Sequence, residues 1–258
     1  MSYCIVIPNY NHTVLLDELI ATLAQFSLPI IMVNDASDQQ ATELFRDLSN
    51  KHPCLSVIEH KLNQGKGGAV QTGLSAAFEQ GFSHALQVDA DGQHDLNDVE
   101  KLITESKKFP LALISGKPIY DDSVPKHRYY ARNITQLWVW VETLSFKIKD
   151  TMCGYRVYPL AATVSLIKQQ KLGKHMDFDI EVMVKLFWQD IELRFIDTAV
   201  DYPEHGISHF RALEDNVLIS WMHTRLFFGM LVRIPSLLFR KKWPKLNIGL
   251  KSKSAVLI

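Results

Sequence analysis

Short apolar runs alternate with stretches of helical spacing through residues 1–100 of the chain. Residues 4–7, Cys-Ile-Val-Ile, are stopped by Pro8-Asn-Tyr-Asn11, which predicts a buried strand ending in a loop. Leu15, Leu16, Leu19, Ile20 and Leu23 then recur with the period of a helix face. Residues 30–33 read as a second strand, ended by Asn34-Asp-Ala-Ser-Asp38, and residues 55–58 as a third, with Leu44 and Leu48 marking the helix between them. Residues 68–82 have helical spacing, and residues 85–88 form a fourth strand that stops at Asp89. Alternation of this kind predicts an α/β fold, a parallel sheet with helices on its faces.

In open sheets of this class, ligands bind beyond the carboxyl ends of the strands. Asn9, Asn11, Asp35, Asp38, Asp89 and Asp91 all fall there, so residues 1–100 are expected to form a nucleotide-binding half. The second half is less regular. Residues 112–115 predict a strand, 130–148 a helix rich in Trp and Leu, 150–158 a loop entering a strand, 178–188 a helix and 194–200 a strand. With no internal repeat or linker, the expectation is one domain over residues 1–215, its second half spanning 101–215. A helical extension over 216–258 follows.

A length of 258 residues suits one large domain of this type. Lys+Arg and Asp+Glu are equal at 28 each, which removes any global field that would draw nucleic acid. Cys4, Cys54 and Cys153 lack zinc-ligand spacing and an even count, so a reducing, cytoplasmic setting is expected. The run at residues 4–7 is too short for a signal peptide, and residues 217–240 are interrupted by His223, Arg225, Arg233 and Pro235, which argues against a spanning helix.

Two segments carry candidate chemistry. Asp89-Ala-Asp91 puts two carboxylates at a strand end, and Gly92 permits the bend that would turn them to a common point. Hard oxygen ligands suit Mg²⁺ or Mn²⁺, with Gln93 and His94 as further contacts. These acids could instead cap the helix starting near Leu96, although Asp95 and Asn97 suffice for that. Asn63-Gln-Gly-Lys-Gly-Gly68 opens a helix with flexible backbone and the cation of Lys66, a pattern suited to an anion but without P-loop spacing.

Four segments stand in an order and spacing that resembles the GT-A glycosyltransferases of family 2: Val33-Asn-Asp-Ala-Ser-Asp38, Asn63-Gln-Gly-Lys-Gly-Gly68, Asp89-Ala-Asp-Gly-Gln-His94 and Asp150-Thr-Met-Cys-Gly-Tyr-Arg156. The nearest branch is that of the dolichyl- or polyprenyl-phosphate sugar synthases, and the likeness covers roughly residues 3–215. It implies a GT-A, Rossmann-like and mostly parallel sheet, and inverting transfer from a UDP- or GDP-sugar to a lipid-linked acceptor. It also implies Pro8, Asn9 and Asp35 around the nucleoside, Lys66 near the nucleotide, and Asp89, Asp91 and Gln93 on the metal. Asp91 would lie nearest the diphosphate, Arg156 would face a phosphate, Arg132 would lie near the acceptor, and Glu181 matches the branch's Phe-x-x-Glu.

One segment departs from that branch. Pro203 and His209 stand where an arginine and a lysine are expected, which leaves a hydroxyl acceptor open beside a phosphate. A hydroxyl needs a general base, and Asp177, Asp179 and Glu181 are the candidates. On a helix Asp177 and Glu181 share a face while Asp179 points away. Asp91, Arg156, Asp179 and Glu181 therefore form the expected catalytic set. A nucleotidyltransferase, which also sets acids and glycines around a nucleotide, is the rival reading.

The C-terminal pattern bears on location. Arg225, Arg233 and Arg240 share one helix side, with Phe227, Leu231, Ile234 and Leu238 on the other. Such a helix is expected to lie in a membrane interface, with Lys241, Lys242 and Trp243 extending it and Pro235 breaking or bending it. The alternative is a helix packed on the domain with its arginines in water. Peripheral contact at the cytoplasmic face of a membrane is the expectation.

Overall fold

The computed structural model describes residues 1–119, 126–199 and 211–239, with backbone alone for 126–131 and 212. Its first half follows the predicted alternation: β1 (Tyr3–Asn9), α1 (Leu16–Ala24), β2 (Ile30–Asn34), α2 (Gln39–Lys51), β3 (Leu55–Glu59), α3 (Lys66–Glu79) and β4 (His84–Gln87). A 3₁₀ turn, Leu96–Asp98, leads into α4 (Val99–Lys108), followed by β5 (Leu113–Ile119) and α5 (Lys126–Thr143). The chain continues through β6 (Arg156–Pro159), α6 (Leu160–Gln169), α7 (Phe178–Trp188), β7 (Leu193–Ala199) and α8 (Ala212–Phe239).

The seven strands form one sheet in the order β3-β2-β1-β4-β6-β5-β7. All neighbours are parallel except β6, which runs antiparallel to both β4 and β5. The sequence signalled a strand after Asp150 but not its direction. That direction matters, because the antiparallel register pairs Arg156 with Gln87 and so brings the Cys153-Gly-Tyr-Arg156 segment beside the end of β4.

Strand alternation divides the core into two layers. Cys4 and Val6 of β1 pack on one face with α3, α6 and α7, while Ile5 and Ile7 pack on the other with α1, α2 and α4. Burying each such aliphatic side chain contributes on the order of 2 kcal/mol. A one-residue slip would exchange the two faces, so the register that aligns the strand ends is strongly held.

α8 corrects two expectations. Helix geometry continues through Pro235, so no break occurs there. Proline removes only one backbone donor, the N–H that would have bonded Leu231 O. Arg225 and Arg233 also face inward, drawn by partners on α7. Arg225 Nη1 lies 3.2 Å from Glu181 Oε1, and the Arg233 guanidinium sits 4.7 Å from the Trp188 ring centre. The outward face is apolar, with Trp221 60%, Phe228 62% and Val232 82% exposed.

Leu213–Phe239 is long and apolar enough to cross a membrane by length and composition. Its inner side is nevertheless fixed to the domain by buried Met222, His223, Leu226 and Met230. Pro203, His209, Arg240, Lys241, Lys242 and Trp243 lie outside the described residues.

Candidate active site

Asp89 leaves the sheet from β4, between β1 and β6. Its Oδ2 accepts from Lys66 Nζ at 2.7 Å and its Oδ1 from Gln87 Nε2 at 3.1 Å. Gln87 accepts in turn from the buried Tyr158 hydroxyl at 3.0 Å. Gly154 packs directly against this carboxylate: a Cβ there would stand 2.6 Å from Asp89 Oδ2. The His94 ring stacks on Tyr155 at 4.7 Å and sets Nε2 3.5 Å from the same oxygen.

The bend that Gly92 was expected to allow is present, at φ 71°. Asp91 Oδ1 accepts from Gln93 N at 3.1 Å across it, and both side chains are half-buried on the rim. Asp95 caps the following turn by accepting from Asn97 N at 2.9 Å. Helix capping therefore makes no use of Asp89 or Asp91.

Lys66 enters from the start of α3 and links two acids, lying 3.2 Å from Asp179 Oδ2 as well as on Asp89. Burial alone would lower its pKa, but the Asp179 and Asp89 carboxylates outweigh that and raise it above the ordinary lysine range. Burial likewise favours the neutral form of Asp89, and Lys66 overcomes it, holding that carboxyl well below the usual range.

The glycines around Lys66 serve close packing against the protein itself. A Cβ on Gly65, at φ 83°, would stand 2.5 Å from Lys174 O, and one on Gly67 would strike Phe178.

Of the three acids around α7, the one off the shared face reaches this cluster. Asp177 Oδ1 accepts from His175 N at 3.1 Å, and Glu181 Oε2 from Gly173 N at 2.6 Å, so both turn to the 173–175 loop. Arg156 is fully buried behind Asp179, donating to Asp179 O at 2.7 Å and Thr151 O at 2.6 Å. Its guanidinium is turned toward these carbonyls. Arg132 Nε donates to Asp150 Oδ2 at 2.9 Å, fixing the loop that leads to β6.

On the other side of Asp89 lie the ends of β1 and β2. Pro8 and Asn9 are buried, and Asn9 closes its loop by donating to His12 O at 2.9 Å and accepting from His12 N at 3.0 Å. Asp35 Oδ1 accepts from His60 Nδ1 at 2.7 Å and Gln64 N at 2.8 Å, while its buried Oδ2 has no hydrogen-bond partner among the described residues. Asp38 caps α2 by accepting from Ala41 N at 2.8 Å, and Asn11 accepts from Asp38 N at 2.9 Å. Those two polar residues are accounted for by structure.

Gln87, Tyr158 and His60 were not singled out from sequence. Gln87 had left a trace, as a polar residue within an apolar strand, two positions before Asp89 and on the same face.

Comparison with known proteins shows the family. Residues 4–175 match the glycosyl transferase family 2 model. A dolichyl-phosphate beta-glucosyltransferase of Dictyostelium discoideum is 26% identical over 251 residues, covering 89% of this chain and 75% of that one. A UDP-N-acetylglucosamine–dolichyl-phosphate N-acetylglucosaminyltransferase of Methanococcus voltae is 23% identical, covering 88% and 94%. Glucosyl-3-phosphoglycerate synthase of Mycobacterium tuberculosis, solved with Mn²⁺, UDP-glucose and phosphoglyceric acid, superposes with a TM-score of 0.64. That alignment covers 89% of this chain and 79% of that one at 10% identity, a likeness of fold. With two-thirds of its length matched by the family model and four motifs gathered at one sheet edge, the chain belongs to glycosyl transferase family 2.

Proposed function

We propose that the chain transfers one sugar, with inversion, from a UDP- or GDP-sugar to a lipid-linked acceptor such as polyprenyl phosphate, at the cytoplasmic face of a membrane. The observation that carries this reading is the rim cluster of Asp89, Asp91 and Asp179 around Lys66. Its donor set fits a hard divalent cation: Asp89, Asp91 and Gln93 offer oxygens and leave positions for a diphosphate, as Mg²⁺ and Mn²⁺ sites commonly do. Such an ion, when bound, neutralises charge on the departing diphosphate.

The chain's own residues do the rest. Residues 1–100 serve as the donor half, where Asp35 accepts a nucleoside N–H or O–H through Oδ2, which has no hydrogen-bond partner among the described residues, beside Pro8 and Asn9. Lys66 adds positive charge at the diphosphate. Residues 101–215 serve as the acceptor half, with Arg132 and Arg156 holding the loops that border it. A phosphate acceptor arrives ionised and needs alignment more than deprotonation. The named relatives supply the acceptor class, and the Mn²⁺ and UDP-glucose of the M. tuberculosis structure supply the donor precedent.

Peripheral membrane contact is supported by the outward apolar side chains of α8 and by exposed Ile134, Leu137 and Trp138 on α5, against which α8 packs. The three free thiols fit a reducing compartment. A second reading, transfer to a hydroxyl, is favoured by one observation: among the described residues, buried Asp179 Oδ1 has no hydrogen-bond partner, only the Arg156 guanidinium 3.7 Å away. There Asp179 would act as the base.

Radiolabelled UDP- and GDP-sugars, incubated with Mn²⁺ and polyprenyl phosphate in vesicles, test the assignment. The expected outcome is a lipid-extractable, acid-labile product with nucleoside diphosphate released, lost in Asp91→Ala. An acid-stable lipid product moves the assignment to a hydroxyl acceptor. Pyrophosphate release makes the protein a nucleotidyltransferase instead.

A further inference from the structure

Glu181 has a carboxylate side chain at 0% exposure, and it is met by one donor from its own helix and two from other parts of the fold. Gly173 N donates to Oε2 at 2.6 Å; Lys185 Nζ lies 3.0 Å and Arg225 Nη1 3.2 Å from Oε1. On the side of α7 toward Asp89 stand Asp179, 3.2 Å from Lys66, and Arg156 behind it. A buried carboxylate is costly and can often be replaced by apolar residues without loss of stability. Simple support of the fold is therefore a weak reason for its presence.

What it touches suggests a better one. Gly173 O accepts from Gln71 Nε2 of α3 at 2.8 Å, and Lys174 O accepts from Gly68 N at 2.9 Å. Lys174 Nζ donates to Gln64 Oε1 at 3.0 Å, and Gly65 and Gly67 pack against His175 and Phe178. The 173–175 segment is thus the floor on which the glycine-rich loop rests. That loop delivers Lys66 to Asp89. Glu181 ties this floor to Arg225, and hence to α8.

We propose that Glu181 is a positioning residue that couples α8, through Arg225, to the glycine-rich loop and the seat of Lys66. It accepts no proton from the acceptor. The inference rests on the proposed function only where donor kinetics are read.

Hydrogen exchange on the full chain without ligand tests it directly, comparing wild type with Glu181→Gln and Arg225→Met. Both variants are expected to raise amide exchange in residues 64–70 and 173–176 by about fivefold, within the range of energetic coupling between packed segments, with β1 unchanged. Donor KM rises by a similar factor, kcat stays within about twofold, and the pH profile of kcat keeps its shape. The double variant is expected to be no worse than the more impaired single one, as for residues sharing one interaction.

Exchange changes in Arg225→Met confined to α8 would overturn the coupling. So would a loss of about a hundredfold in kcat for Glu181→Gln at unchanged donor KM, the mark of a general base. Should Glu181→Gln fail to fold, half-buried Arg225 carries the test alone. Coupled exchange in a protein whose wild type binds neither UDP nor GDP supports the Glu181 link and removes the donor reading.

Discussion

Asp89 holds its charge against burial because Lys66 stands 2.7 Å away, and Lys66 keeps a second anion in Asp179. Asp89→Asn therefore leaves the lysine partnered. We expect a Tm change of no more than about 4 °C, equivalent to roughly 1 kcal/mol in a domain of this size, but a loss of about a hundredfold or more in metal-dependent turnover. Retention of a tenth of the activity would remove Asp89 from the metal site. Gly65→Ala should behave oppositely. Its Cβ meets Lys174 O at positive φ, so a cost of about 2–4 kcal/mol is expected in urea unfolding, and unchanged stability would show that the loop shifts freely. The Asp89 pair, the Gly92 bend and Lys66 were legible in the sequence because each is a local pattern of charge and glycine. The reason for Gly65 and Gly67 was not, since Lys174 and Phe178 are about a hundred residues away. Helical periodicity also placed Asp177 and Glu181 together correctly, yet it could not say that Asp179 faces the cluster.

The elements of the first half were readable because strands and helices there alternate with distinct periods. α6 was missed because it starts directly after Pro159, without a loop to announce it. In α8 the arginine stripe was found, but its direction depends on Glu181 and Trp188 of α7. That inversion sharpens the membrane reading, because the side chains free to enter a lipid interface are apolar. Trp221→Glu with Phe228→Glu should reduce recovery on anionic vesicles by about tenfold, on the order of 1.4 kcal/mol, with turnover of a short-chain soluble acceptor retained. Equal recovery of both proteins would place the contact elsewhere. The α5–α8 seam holds a further titration. Glu142 is buried and its pKa raised by that burial, partly offset by His223 Nδ1 at 2.7 Å. A raised carboxyl costs stability above its unfolded pKa, and the cost is relieved as pH falls through the folded value. Glu142→Gln keeps the shape and removes the charge, so it should raise Tm at about pH 7.5 by about 2–4 °C, with the advantage shrinking toward about pH 5. A variant less stable than wild type by the same margin at both pH values would mean that the pair with His223 stabilises outright.

Across the whole molecule the site is a product of strand order. β2, β1 and β4 lie side by side, so Asp35, Asn9 and Asp89 share one rim, and β6 returns antiparallel to press Gly154 against Asp89. The parallel part could be foreseen from alternation; the reversal could not, because a strand's direction is settled by its partners. The consequence is that residues from 1–100 and from 101–215 meet at one carboxylate, and ligand binding there should stabilise both halves together. At a concentration about a hundredfold above Kd, a nucleotide adds about 2.7 kcal/mol. For a domain of this size that corresponds to roughly 5–10 °C in Tm, provided unfolding is one cooperative step. UDP or GDP with Mn²⁺ should produce this shift in a single transition, and chelation of the metal or Asp91→Ala should remove most of it. Two separated transitions, with only one moved by nucleotide, would show that residues 1–100 bind the donor without engaging the rest of the chain. In that event the contact between Gly154 and Asp89 does not transmit stability, and the meeting of the halves at that carboxylate is geometric rather than energetic.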